Sequence, residues 1–146
     1  MPDHESIKHQ FPLIGKNVKL CIFTREHVNN EYINWLNDYQ VVKYSNQRFR
    51  QHSFDSCSEY LQSFKNTENV FLAIHLKDNN KFIGTMTVYY SVPHKVVNIG
   101  LLIGDKSFWG RGLGYEAWEM LMIFITLFEM LLVLEFLTRL ELGVLI

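Results

Sequence analysis

Cysteine is scarce in this chain of 146 residues: Cys21 and Cys57 stand alone, with no Cys-x-x-Cys pair. That excludes a disulfide framework or a zinc ribbon, and two isolated thiols fit a reduced, cytoplasmic protein. The six histidines are scattered without ligand spacing, so no metal site is expected. An excess of one charge is missing too. A formal net charge of −1 supplies no general field for nucleic acid or an acidic membrane surface. The polar start through Phe11 lacks the apolar core of a signal peptide. Residues 120–134 are strongly apolar, but Glu129 interrupts them and Glu135, Arg139 and Glu141 follow. A membrane span needs about 20 apolar residues with few charges, so none is expected.

Turn residues are missing from one long stretch. Between Tyr115 and Leu142 there is no Gly, Pro, Asn, Asp or Ser. Nothing there separates a helix from a following strand. Elsewhere the chain is well punctuated, and it is long enough for one domain with a real core. Residues 1–11 read as a polar, mobile tail. Residues 18–24 alternate like a first strand. Val28, Tyr32, Trp35 and Leu36 then fall on one face of a helix ending at Asn37-Asp38. Residues 39–51 read as irregular. A second helix, capped by Ser53 or Ser56, carries Phe54, Cys57, Leu61 and Phe64 on its apolar face. Residues 70–76 and 81–90 read as a hairpin about Asp78-Asn79-Asn80, with a turn at 91–95 leading into the next strand.

That next strand opens the most informative part of the chain. Residues 96–103 are almost wholly apolar, Gly104-Asp105-Lys106 breaks the run, and Gly110, Gly112 and Gly114 alternate before a stretch rich in helix formers. A glycine loop at a helix N-terminus offers unpaired amides to an anion, phosphate above all. The spacing is not the dinucleotide fingerprint G-x-G-x-x-G, and the Gly-Lys-Ser/Thr of triphosphate loops is absent.

Ile99-Gly100-Leu101-Leu102-Ile103-Gly104 followed by Phe108-Trp109-Gly110-Arg111-Gly112-Leu113-Gly114-Tyr115-Glu116-Ala117 resembles the GNAT superfamily of acyl-CoA-dependent N-acyltransferases. The order of elements over roughly residues 12–117 is similar as well. Trp35-Leu36-Asn37-Asp38, Gln47-Arg48-Phe49 and Ile83-Gly84 look most like the branch of ribosomal-protein alanine and amino-sugar acetyltransferases. The resemblance implies an α+β fold, a mixed, mostly antiparallel sheet flanked by helices. Residues 12–146 would form one such domain, incomplete at the C-terminus and lacking the family's last helix and strands. Residues 140–146 alternate like a fifth strand.

The resemblance also implies a site. Acetyl-CoA would be the co-substrate, held by backbone groups of Leu102 and Ile103 and by the loop Trp109, Gly110, Arg111, Gly112, Leu113, Gly114 and Tyr115. Trp109 stands where the family usually has Gln or Arg. The acceptor would be a primary amine of a small molecule, an amino sugar or a protein N-terminus, near Trp35, Asn37, Tyr44, Arg48 and His52. No catalytic side chain is assigned. Asn98, Tyr89 and Tyr90 are the candidates, and Asn98 cannot take a proton where some relatives carry a glutamate. The other reading is a catalytically inactive CoA-binding or assembly module. The bare apolar segment 120–134 implies a homodimer through the C-terminal part.

Overall fold

The computed structural model describes residues 4–91, 94 and 96–145. Five strands form one sheet in sequence order: β1 (Leu13–Ile14), β2 (Val18–Ile22), β3 (Val70–Leu76), β4 (Phe82–Ser91) and β5 (Val96–Ile103). All neighbouring pairs run antiparallel. The expected α+β architecture is present, with helices on both faces. Three short helices, α1 (Asn30–Asn37), α2 (Tyr39–Val42) and α3 (Phe54–Gln62), cover one face, and the long α4 (Leu113–Leu145) covers the other.

Local chemistry explains these elements. Asn29 caps α1 by accepting the Tyr32 amide at 2.9 Å, and Ser53 and Ser56 exchange bonds as a capping box on α3. Alternation on β3 sends Leu72 and Ile74 to the α4 side and Phe71 and Ala73 to the other. On the α1–α3 side the core is aromatic. Phe23 stacks on Phe71 at 4.0 Å between centroids, and Trp35 packs on Phe82 at 4.9 Å. Beside the β3–β4 hairpin lies a histidine pair, His75 buried and His27 half-buried. The Thr24 amide donates to His27 Nδ1, so the His27 Nε2–H faces His75 Nε2 at 2.9 Å, and His75 Nδ1 donates to the Asn80 carbonyl.

Several sequence expectations change. Residues 4–10 of the expected mobile tail form a 3-10 helix whose Ile7 is fully buried, and Lys8 Nζ donates to the carbonyls of Phe64 and Thr67. One apolar side chain and one ammonium suffice to dock a segment whose average composition is polar. Residues 39–51 are less irregular than expected, because Asp38 caps α2 and Ser45 caps a 3-10 turn at Asn46–Phe49. Of the turn expected at 91–95, positions 92, 93 and 95 lie outside the described residues. Residues 140–145 are helical, not a fifth strand, since α4 runs unbroken through a stretch with no turn residue.

Helix α4 is long and apolar enough over Leu113–Leu134 to cross a membrane. Its buried positions Leu113, Ala117, Leu121, Ile125, Phe128 and Leu132 recur every three or four residues and pack on the sheet. Ile123, Leu127, Met130, Leu131, Val133, Leu134 and Leu137 are exposed.

Candidate functional site

Strand β5 is the last in the sheet, and its outer edge has no neighbour among the described residues. Gly104 N donates to the Ile83 carbonyl at 2.9 Å, and the β4–β5 register continues from Gly84↔Ile103 to Ser91↔Val96 without a shift. In an antiparallel ladder only alternate pairs exchange hydrogen bonds. Those are Leu102 with Thr85 and Gly100 with Thr87. Leu101 and Ile103 therefore turn their N–H and C=O groups to the open edge. This corrects one expectation. Ile103 turns its N–H to the open edge as expected, whereas the Leu102 backbone faces β4 and it is Leu101 whose groups face outward.

The edge leads into the glycine loop. Asp105 accepts from the Ser107 amide, and burial, which raises its pKa, is outweighed by bonds from Ser107 and Lys81 that hold its carboxyl low. Trp109 donates its indole N–H to the Ile103 carbonyl at 2.7 Å, tying the loop to the strand end. Gly110 and Gly112 both have φ of +75°, and a Cβ built on either meets nothing within 4 Å. The left-handed backbone demands glycine there, and the space above it is open. The first amide to close a helical bond is that of Glu116, on the Gly112 carbonyl at 3.0 Å. The amides of Arg111, Gly112, Leu113, Gly114 and Tyr115 precede it and have no intrahelical partner. Arg111 lies over the Phe108 ring at 5.2 Å, beside the loop. An open cradle of amides at the positive end of a long helix fits a pyrophosphate.

On the α1–α3 side of β5 lies a cavity of about 370 Å³, a size suited to a small ligand. Its floor is Thr85 and Thr87 from β4 with Gly100 and Leu102 from β5, and its walls include Tyr32, Tyr60 and Phe71. Tyr60 and Tyr89 share a hydroxyl–hydroxyl bond. Burial first, and then that bond, push the Tyr60 hydroxyl far above its ordinary range. Burial raises Tyr32 as well and keeps Cys57 a thiol. These groups stay protonated and do not act as bases at neutral pH. His52 also lines the cavity, its Nε2 bonded to the Gln47 carbonyl at 3.2 Å, which leaves Nδ1 as the acceptor of the neutral ring.

The acceptor-side residues named from sequence divide. Tyr44 and His52 line this cavity. Trp35 does not: it is 7% exposed and packs so closely under Gly104 that a Cβ there would sit 2.0 Å from its ring. Asn37 is a brace, holding the His52 backbone in both directions at 2.8 Å. Arg48 is bound to the Lys43 and Ser45 carbonyls at 3.1 Å and lines a neighbouring cavity. Of the catalytic candidates, Tyr89 reaches the cavity wall through Tyr60, Asn98 is exposed on β5, and Tyr90 packs on the α4 side of the sheet. Sequence reasoning missed Tyr60, Thr85, Thr87 and Arg50. Only the two threonines left a signal, a period of two on a predicted strand.

A family model described as an acetyltransferase (GNAT) domain matches residues 18–141. No curated protein matches. Among solved structures, a domain from Methanocaldococcus jannaschii DSM 2661 aligns with a TM-score of 0.62 at 18% identity, covering 77% of this chain and 71% of that one. An apo nucleotide-linked sugar GNAT aligns with a TM-score of 0.59 at 18% identity, over 76% of this chain and 63% of that one. A proposed ribosomal-protein-serine acetyltransferase from Vibrio cholerae aligns with a TM-score of 0.56 at 15% identity, over 79% and 66%. The chain thus spans about two thirds of the length of these structures.

Proposed function

This chain belongs to the GNAT acetyltransferase family, and from that premise we propose that it is an N-acetyltransferase moving an acetyl group from acetyl-CoA to a primary amine. One observation carries the reading. The open edge of β5 leads directly into an amide cradle at the head of α4, while one face of the same strand floors a half-open cavity. A donor stretched along the edge and an acceptor seated in the cavity would meet at residues 100–102.

Acetyl-CoA supplies an acyl group already activated as a thioester, so the protein needs chiefly to hold and align. Loop amides from Gly110 to Tyr115 would hold the pyrophosphate, with Arg111 adding charge. Edge amides of Leu101 and Ile103 would hold the pantetheine arm and polarise the carbonyl. In the transfer the amine nitrogen bonds to the acyl carbon, the carbon–sulfur bond breaks, and the amine's proton ends on the released thiol. Nδ1 of His52, or water, would take that proton first. Tyr60, kept protonated by burial and by its bond with Tyr89, would not accept the proton.

Small amines, amino sugars and protein N-termini all remain within this reading. A cytoplasmic location, supported by free Cys21 and Cys57, and a homodimer through the C-terminal apolar segment are further parts of the proposal. An inactive CoA-binding module is the alternative, favoured by a cavity lining that holds no carboxylate among the described residues. Thermal shift with acetyl-CoA and thiol release against an amine panel separate the two. Stabilisation with turnover supports the enzyme, stabilisation without turnover supports the module, and neither result would overturn both.

A further inference from the structure

We infer that the acceptor is a small amine carrying its own anionic group, a carboxylate or a phosphate, and that Arg50 is the residue that selects it. This deepens the proposed N-acetyltransferase reading and rests on it.

The inference starts from an imbalance. The main cavity and its neighbour meet at Arg50, which lines both. Among the described residues, their linings together hold two guanidinium groups, Arg48 and Arg50, and the imidazole of His52, but no aspartate or glutamate. The two arginines are not equivalent. Arg48 spends its fork on the carbonyls of Lys43 and Ser45 and lies over the Phe49 ring at 4.2 Å. The Arg50 side chain makes no hydrogen bond, ion pair or ring contact among the described residues. Its backbone is nonetheless fixed. Arg50 N donates to the Gln47 carbonyl at 3.1 Å, and Asn37 clamps His52 two residues on. A held backbone with an unused fork at the rim of a cavity is suited to a bidentate anion.

The same charge acts on the amine. A cationic lining disfavours the ammonium form and favours the neutral amine that the transfer requires. It also repels polyamines and multiply cationic amino sugars. An acceptor with one amine and one acidic group satisfies both conditions. Its anion meets Arg50, and its nitrogen reaches the floor at Thr87 and Gly100.

Matched pairs test this: O-phosphoethanolamine against ethanolamine, and β-alanine against its amide, with spermidine as the polycation. Each is titrated calorimetrically into protein saturated with CoA, and each is assayed for acetyl-CoA-dependent thiol release. The anionic member of at least one pair should bind and react at least tenfold better than its neutral twin, and the pair that responds tells phosphate from carboxylate. Arg50→Gln should remove that preference and Arg50→Lys should restore part of it, with CoA affinity reporting that both variants are folded. Preference for the neutral or polycationic probes, a preference that survives Arg50→Gln, or no binding by either anionic probe overturns the proposal. Anion-selective binding without thiol release would instead uphold the Arg50 subsite and reject the transferase.

Discussion

Gly112 tests the cradle most directly. Its φ of +75° is costly for any residue with a Cβ, and the space above it is open. Gly112→Asp would strain that backbone and set a negative charge among amides aimed at a pyrophosphate. Affinity for CoA should fall at least tenfold, about 1.4 kcal/mol, by calorimetry. Unchanged affinity in a folded variant would take the loop out of the site. Trp109 shows why side-chain identity alone misleads here. Its indole occupies the Ile103 carbonyl, so a departure from the family pattern becomes a tie between loop and strand.

Two contacts between elements set how well the site is held. Glu116, in the first turn of α4, accepts from the amides of Asn17 and Val18 and from the Asn17 side chain, the shortest of these bonds being 2.8 Å. It thereby clasps α4 to the start of β2. Glu116→Ala would leave the half-buried Val18 amide unpaired and should cost about 1.5–3 kcal/mol, the range for hydrogen bonds to a charged group, read from urea unfolding. The second contact is the His27–His75 pair. Burial first and the neighbouring His75 second lower the pKa of His27 from its ordinary 6.5. The folded chain then binds this proton less readily than the unfolded chain. Stability from the pair should be complete above about pH 6.5 and decline as pH falls below it. Unfolding curves at pH 7.5 and 5.5 should separate for the native chain and converge for His27→Gln; equal loss in both would mean that other groups govern the acid limb.

For the whole molecule, the exposed face of α4 matters most. Leu127, Met130, Leu131, Leu134 and Leu137 are each about half exposed and line one side of a long helix, the kind of contiguous apolar surface that marks an interaction site. A two-fold pair of chains would cover this face in both copies at once. Light scattering at micromolar concentration should give twice the mass of one chain. Leu131→Glu with Leu134→Glu should halve it while leaving CoA affinity intact, and a native chain that scatters as a soluble monomer would end the proposal.

Much was legible in the residues themselves wherever one local pattern had one solution. Alternation marked β2, apolar runs bounded by turn residues marked β3 to β5 and the hairpin at Asp78-Asn79-Asn80, and serine caps marked α3. The glycines marked the loop before α4, because a left-handed backbone leaves little choice of residue. Tertiary structure decided the rest. The 3-10 segment at residues 4–10 docks through Ile7 and Lys8, two residues whose partners lie far along the chain. Which β5 residues face the open edge depends on the register with β4, and apolar composition is blind to register. Trp35, Tyr44, Arg48 and Arg50 are all aromatic or cationic in one short region. One is core, one lines the cavity, one braces a turn and one is free, because burial and partnership are properties of the packed neighbours and not of the residue.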